Sequence, residues 1–161
     1  MQNNTRKHIE EILNWLRPRT EQTKHSHRTL YDHLLGTYNI LAIEGRSEEI
    51  RLAGLFHSIY GTSIFKVKTM KEREEIKNLI GEDAERLAWY FCNLQRPQCW
   101  GLADTTFFNG EPIPMLTRDG YKTLMSMEDV IALQQIEDAN LREQQPDYKP
   151  NIPYTLTSDS G

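Results

Sequence analysis

The segment from Leu52 to Tyr60 constrains the fold of this chain more than any other stretch. It reads Leu-Ala-Gly-Leu-Phe-His-Ser-Ile-Tyr, which leaves almost no polar face at helical spacing. A helix that is apolar on every side must be covered by other elements, so we expect it at the centre of a domain. Gly54 costs about 1 kcal/mol relative to alanine inside a helix, which indicates that another element packs closely there.

The surrounding sequence shows the period of amphipathic helices, with apolar residues recurring every three or four positions. The predicted helices cover about 4–16, 28–44, 48–60, 71–79, 83–93 and 127–144. We expect Pro18 to end the first of them. Seventeen Leu against two Val also favour helices over strands. The sequence therefore predicts a single all-α helical domain over residues 1–145.

Residues 97–121 break this periodicity. They contain Asn109-Gly110, which is typical of a hairpin turn, and also Pro112 and Pro114, which limit any strand to the edge of a sheet. Aperiodic segments of this length often form lids or contact surfaces. We expect this irregular Pro/Gly-rich excursion to cover a pocket or to join copies of the chain in a homo-oligomer. We expect residues 146–161, which are polar and Pro-rich, to form an extended C-terminal arm.

Charge and composition exclude several functional classes. The net charge of −4 offers no basic surface for nucleic acid. No apolar run approaches eighteen residues, so we expect no membrane-spanning segment. Cys92 and Cys99 fit neither a zinc knuckle nor a disulfide framework, and the first residues lack the apolar region of a signal peptide. We therefore expect a cytoplasmic protein whose partner is a small-molecule ligand or substrate.

Two histidines are placed to face each other. His33 lies twelve residues before Gly45, and His57 lies ten residues after Ser47. In an antiparallel helix hairpin that turns between Gly45 and Ser47, this mismatch of two residues corresponds to about 3 Å of rise. Each imidazole needs a polar partner if it is buried. We therefore expect both rings to point into one pocket and to share a ligand.

The pattern of His33 on one predicted helix and His57, within Leu55–Gly61, on the next resembles the HD-domain superfamily of metal-dependent phosphohydrolases. That superfamily has a His on one helix, a His-Asp pair on the next and an Asp on a later helix. More closely, residues 28–38 and 53–62 resemble an uncharacterised bacterial and fungal family that carries an HSIYGT signature. The resemblance implies an HD-like helical bundle that holds one divalent metal ion.

The chain departs from the superfamily at both metal-binding aspartates, which fall on Ser58 and Asn140. Hard divalent cations prefer carboxylates, so neutral oxygens at both positions weaken the expected metal site. Glu137, one helical turn before Asn140, could supply a carboxylate in their place. His25 or His27 could supply a third imidazole. These alternatives stay open at the level of sequence.

Three functions follow from this pattern. The first is a non-standard metal-dependent hydrolase or related enzyme that acts on a small metabolite, phosphorylated or not. His33, His57 and Glu137 would then be its catalytic residues and metal ligands. The second is a metal-free small-molecule-binding or sensor protein, and the third is a structural or interaction domain whose histidines satisfy each other. The residues expected to contact a ligand are Arg28, Ser58, Tyr60 and Asn140.

Overall fold

The computed structural model describes residues 2–25, 28–61, 70–103 and 111–145. The helices in these ranges are α1 (Gln2–Thr20), α2 (Leu30–Ile43), α3 (Glu48–Leu55), α4 (Met70–Ile80), α5 (Glu82–Asn93), α6 (Trp100–Ala103) and α7 (Met127–Gln144). The strands are β1 (Lys24–His25), β2 (Arg28–Thr29), β3 (Ile113–Leu116) and β4 (Lys122–Met125). The strands form two antiparallel two-stranded hairpins, β1–β2 and β3–β4. The predicted helix-dominated fold is confirmed, with two small hairpins added to it.

Helix α3 lies at the centre of the packing, as its apolar sequence predicts. It contacts α2, α4, α5 and α7, and residues 52–57 are all buried. The helix ends at Leu55 and not at Tyr60, so this predicted boundary was wrong. Beyond it the backbone switches to the tighter i→i+3 spacing, with Ile59 N donating to the Phe56 carbonyl at 3.1 Å. A turn of 3-10 helix at 59–61 follows just after His57.

The α2–α3 contact is close because Gly54 has no side chain. A Cβ added at Gly54 would overlap Leu41 Cδ1 and would lie 3.5 Å from Thr37 Cγ2. Farther along the same interface, His33 on α2 meets His57 just after α3. The two helices are antiparallel, because the earlier residue Gly54 contacts the later Leu41 of α2, whereas the later residue His57 contacts the earlier His33. This arrangement brings the two histidines to the same height.

Helix α7 closes the other side of this hairpin through contacts with α2, α3 and α5. Ser126 caps its N-terminus, because its Oγ accepts a hydrogen bond from Asp129 N at 3.1 Å. Asp129 also accepts two hydrogen bonds from Arg86 on α5, at 3.1 and 3.2 Å. Val130 and Leu133 on the same helix are fully buried. The face of α7 that carries Glu137 and Asn140 is thereby turned into the protein.

Pro18 lies inside α1, which continues to Thr20 and does not end before the proline as predicted. A proline beyond the first turn cannot donate to the carbonyl four residues earlier, here that of Asn14, so α1 bears the loss of one backbone hydrogen bond near its C-terminal end. Side chains also satisfy carbonyls of this last turn. Arg19 Nη1 donates to the Trp15 carbonyl at 2.6 Å, and Thr20 Oγ1 donates to the Leu16 carbonyl at 2.9 Å.

The described parts of the region 97–121 contain α6 and β3, which its aperiodic sequence does not predict. The hairpin that β3 forms with β4 turns at Asp119-Gly120; Asn109-Gly110 lies outside the described residues, as does the predicted arm 146–161. Pro114 is tolerated in β3 because both strands of a two-stranded sheet are edges. Across the described ranges, every helix is either too short or too polar to cross a bilayer.

Substituting alanine at Gly54 tests the close α2–α3 contact. We expect Gly54→Ala to lower the free energy of unfolding by about 1–3 kcal/mol, because overlap with Leu41 outweighs the gain in helix propensity. Urea denaturation of parent and variant gives this difference. The control is Gly101→Ala in α6, where an added Cβ meets no atom within 4 Å, and it should be neutral or slightly stabilising. Equal stability of all three proteins would contradict the close contact.

Candidate functional site

Four buried polar side chains from three parts of the fold form one chain of contacts. His57 Nε2 lies 3.2 Å from His33 Nε2, which lies 2.9 Å from Asn140 Oδ1. Asn140 Nδ2 donates to Glu137 Oε1 at 3.1 Å. All four residues are at most 7% exposed. The two imidazoles therefore share one buried space, as the helix-register argument predicts.

The outer nitrogen of each imidazole has an acceptor as its partner. His33 Nδ1 faces Glu143 Oε2, and His57 Nδ1 lies 2.6 Å from the carbonyl oxygen of Gly54. An ionised carboxylate and a carbonyl can only accept, so these partners assign a proton to each Nδ1. The inner Nε2 atoms are consequently the ones that face each other.

Three acceptor atoms converge at the centre of the site. The Asn140 amide is oriented by Glu137, which accepts from Nδ2 and so turns Oδ1 toward His33. With protons on both Nδ1 atoms, neutral His33 and His57 each present a lone pair on Nε2. His33 Nε2 lies 2.9 Å from Asn140 Oδ1 and 3.2 Å from His57 Nε2, and lone pairs on atoms this close repel one another unless a proton or a cation lies between them. The position calls for a proton on His33 Nε2 or for a bound cation.

His57 keeps its lone pair at neutral pH. Burial lowers the pKa of its imidazole to about 3, and the neighbouring His33 and Arg96 act in the same direction. Its hydrogen bond to the Gly54 carbonyl opposes part of this shift. His57 is therefore a neutral acceptor whose Nε2 is available to a proton donor or a cation.

An arginine pairs with each of the two carboxylates that flank the cluster. Arg28 Nη2 lies 2.5 Å from Glu143 Oε1 and donates to the Glu143 carbonyl at 2.9 Å. Arg96 Nη1 lies 3.0 and 3.1 Å from the two oxygens of Glu137. A buried carboxylate without such a partner would be costly. The cluster thus lies between two ion pairs that hold its outer ends.

Gly36 makes room for the carboxylate that orients His33. A Cβ added at Gly36 would lie 2.7 Å from Glu143 Cγ and 2.9 Å from its Oε1. Real side chains do not approach so closely, so any larger residue there would push Glu143 away from His33. Position 36 on α2 is part of the construction of the site although its residue carries no functional group.

A cavity of about 210 Å³ adjoins the cluster on the side of His57. Ser58, Cys92, Arg96 and Arg118 also line it. Cys92 Sγ donates to the His57 carbonyl at 2.9 Å and so holds the backbone of this turn. Two guanidinium groups and one hydroxyl at the wall suit an anionic ligand, because arginine binds phosphate and carboxylate oxygens strongly.

The remaining predicted ligand residues lie in different surroundings. Ser58 lines the cavity, whereas Arg28 pairs with Glu143. The Tyr60 hydroxyl donates to Glu85 Oε2 at 2.9 Å, and burial together with this contact raises the pKa of Tyr60. The side chain of His25 and all of His27 lie outside the described residues. Their roles in ligand or metal binding stay predictions.

Glu137 contacts Asn140 and Arg96, and its predicted role as a direct metal ligand stays a prediction. In the described part of the chain, no three His, Cys, Asp or Glu side chains gather in a way that could hold a metal ion. A cation between His33 and His57 would therefore depend on Asn140 Oδ1 as its third donor. Glu137 would then act by orienting that amide.

Sequence reasoning missed Glu143, Arg96 and Arg118. Glu143 had a usable signal, because it continues the three-residue spacing of Glu137 and Asn140 along one face of α7. The two arginines had none. Arg96 follows the end of α5, and Arg118 lies in the turn between β3 and β4, so only the path of the chain brings them to His57.

The chain belongs to the family described as Domain of unknown function (DUF6817), whose model matches residues 15–96, about half of its length. The match includes His33, His57 and Ser58 and ends at Arg96, whereas α7 lies outside it. No curated protein and no solved structure matches the chain. The family description names no activity, so the function must be argued from the site.

The pKa of His57 predicts how stability depends on pH. The folded value of about 3 lies below the unfolded 6.5, so the unfolded chain binds more protons between these pH values. This contribution is complete above pH 6.5 and is lost as the pH falls toward 3. At pH 5 the loss is about 2 kcal/mol. Urea denaturation between pH 8 and 5, with EDTA present, measures it.

We expect His57→Gln to show about 2 kcal/mol less loss of stability than the parent over this pH range. His8→Gln, on α1, is the matched control, since it removes an imidazole that lies outside the cluster. Comparing slopes and not absolute stabilities separates titration from the cost of the lost Gly54 hydrogen bond. If parent and His57→Gln lose stability equally, His57 is not the buried neutral group described here.

Proposed function

We propose that this chain is an HD-like protein that binds a small phosphorylated metabolite in the cavity beside His57 and acts on it as a metal-dependent hydrolase. The observation that carries this proposal is the convergence of three acceptor atoms, His33 Nε2, His57 Nε2 and Asn140 Oδ1. A domain without a ligand would gain nothing from burying three lone pairs against one another. A cation among them turns this repulsion into binding.

The donor atoms suit one divalent cation. Zinc bonds of about 2.0–2.1 Å at right or tetrahedral angles place two donors about 2.9–3.4 Å apart, which covers both separations found here. His33 donates its other ring proton to Glu143 and His57 donates its own to Gly54, the usual arrangement for metal-ligating histidines. When bound, the cation would supply Lewis acidity and an activated water. Imidazole ligands without a carboxylate favour zinc or iron over magnesium.

The chain's own residues would bind and position the substrate. Arg96 and Arg118 at the cavity wall attract an anionic group and hold its oxygens. Ser58 offers a hydroxyl to the same group. Glu143 keeps the Nδ1 proton on His33 and so directs the His33 Nε2 lone pair inward. Glu137 keeps the amide oxygen of Asn140 facing the same point.

The resemblance of His33 and His57 to the paired histidines of the HD-domain superfamily supports this proposal. In that resemblance Asn140 falls on the later aspartate, and Asn140 is the residue that contacts His33. The other replaced aspartate falls on Ser58, which lines the cavity with His57. A cytoplasmic location and a homo-oligomer formed through 97–121 remain predictions from the sequence.

A metal-free binding or sensor protein is the second candidate, and one observation favours it. None of the three central atoms belongs to a carboxylate, and Glu143 lies against His33 as a ready counter-ion. A proton on His33 Nε2 would then fill the position by donating to Asn140 Oδ1. The cavity and its arginines would still bind an anion. This candidate differs from the first in lacking the metal and the hydrolysis that would depend on it.

Elemental analysis separates the two candidates. We expect about one zinc or iron per chain in protein purified without a nickel column, and we expect His33→Ala and His57→Ala to lose it. His8→Ala is the control that keeps the metal while removing a histidine. Absence of stoichiometric metal, joined to retained binding of inorganic phosphate, would sink the hydrolase and leave the binding protein. Absence of both would leave only a structural or interaction domain.

Asn140→Asp restores a carboxylate at the centre. We expect it to raise the affinity for Mn²⁺ at least tenfold in calorimetric titration, because hard cations prefer anionic oxygen. In EDTA the variant should lose about 1–3 kcal/mol of stability, since an aspartate would repel Glu137 in place of donating to it. Asn39→Asp, at an exposed position of α2, makes the same chemical change outside the cluster and should do neither. Unchanged Mn²⁺ binding would show that the acceptors do not form a cation site.

A further inference from the structure

A second, larger cavity shares two lining residues with the cavity beside His57. The second cavity has a volume of about 430 Å³ and lies between the C-terminal part of α5 and the β3–β4 hairpin. Cys92 and Arg118 line both cavities, so these two residues mark the place where the cavities meet. The walls that belong only to the second cavity come from Trp89, Tyr90, Asn93, Thr117, Asp119 and Thr123.

Arg118 is held in place at this junction by its backbone. Arg118 N donates to the Asn93 carbonyl at 2.8 Å, and the neighbouring Thr117 forms an isolated bridge with Leu94. These bonds fasten the hairpin turn to the end of α5. Within the described residues the Arg118 guanidinium makes no hydrogen bond or ion pair, in contrast to Arg96, which is engaged with Glu137. Arg118 thus has a fixed backbone, and its guanidinium remains available to a ligand.

The volumes of the two cavities show why a metabolite would need the second one. Small-molecule sites generally measure about 300–1,000 Å³, and the cavity beside His57, at about 210 Å³, falls below this range. It can hold a phosphate group but little more of a metabolite. The larger cavity adds the volume that an organic group of ring size needs. Its walls combine aromatic rings with amide and hydroxyl groups, which suits a polar ring more than a hydrocarbon.

We infer that the two cavities form one bipartite ligand groove and that Arg118 is the residue that joins its parts. The ligand is a phosphate monoester with a polar, ring-sized organic group. Its phosphate lies beside His57 and Ser58 and contacts the Arg118 guanidinium, and its ring lies in the second cavity against Tyr90 and Thr123. This inference rests on the proposed function, because it extends the same site.

Calorimetric titration of the full chain with three probes tests the groove. The probes are inorganic phosphate, ribose 5-phosphate and phenyl phosphate. We expect ribose 5-phosphate to bind at least tenfold more tightly than inorganic phosphate and more tightly than phenyl phosphate, because only it fills the second cavity with hydrogen-bonding groups. Arg118→Gln should weaken all three about tenfold or more, as expected for loss of a charge-assisted hydrogen bond. Lys122→Gln, which removes a charge from the same hairpin outside both cavities, should change none.

A substitution that fills the second cavity separates the contribution of that cavity to binding affinity from the contribution of the first cavity. We expect Thr123→Tyr to reduce the affinity for ribose 5-phosphate to that for inorganic phosphate, while inorganic phosphate binds as in the parent. Asn93→Ala, a smaller change in the same wall, serves if the larger side chain prevents folding, and it should weaken ribose 5-phosphate alone.

Equal affinity of the parent for ribose 5-phosphate and inorganic phosphate would overturn the bipartite groove and leave the proposed function intact. Binding of ribose 5-phosphate that neither wall variant changes would overturn it as well. Failure of all probes to bind would overturn the groove too, and the metal content of the protein would then decide the proposed function separately.

Discussion

The site depends on the close antiparallel contact between α2 and α3. Gly54 lets Leu41 approach the backbone of α3, so the two helices lie close together at this point. His33 and His57 lie farther along the same interface, so the 3.2 Å between their Nε2 atoms follows from that packing. Protein interiors are packed too densely for the rings to adjust independently. A change in helix spacing would therefore be felt directly at the cluster.

On both sides of the central cluster, an arginine pairs with a carboxylate, and that carboxylate contacts a residue of the cluster. Arg28 pairs with Glu143, Glu143 with His33, and on the other side Arg96 pairs with Glu137, which holds Asn140. Each buried carboxylate has an arginine on one side and orients a side chain of the central cluster on the other. Buried ion pairs of this kind add little to stability, because desolvation offsets much of the Coulomb attraction. Their contribution here is to fix which atoms of His33 and Asn140 face inward.

The site also brings distant parts of the chain to one cavity. The family match covers His33, His57 and Arg96, whereas the atoms that complete the cluster come from α7, which lies beyond it. The β3–β4 hairpin, which lies between the matched residues and α7 in the chain, contributes Arg118 to the cavity wall. Helices α2 and α7 and the turn after α3 supply the buried donors, which need fixed positions, and the hairpin supplies the cation at the cavity wall. This division suits a site whose centre is rigid and whose ligand contacts lie on connecting segments.

The sequence by itself determined the helical class, the central place of α3 and the meeting of His33 with His57, because helical period and equal distances from a turn are properties of local geometry. It also indicated Asn140 and Glu137, since both share the buried stripe of α7. Only the tertiary structure decided that Glu143 orients His33, that Arg96 pairs with Glu137 and that Arg118 reaches the cavity. Those contacts join residues up to 110 positions apart, and no local pattern encodes which distant side chains a folded chain brings together.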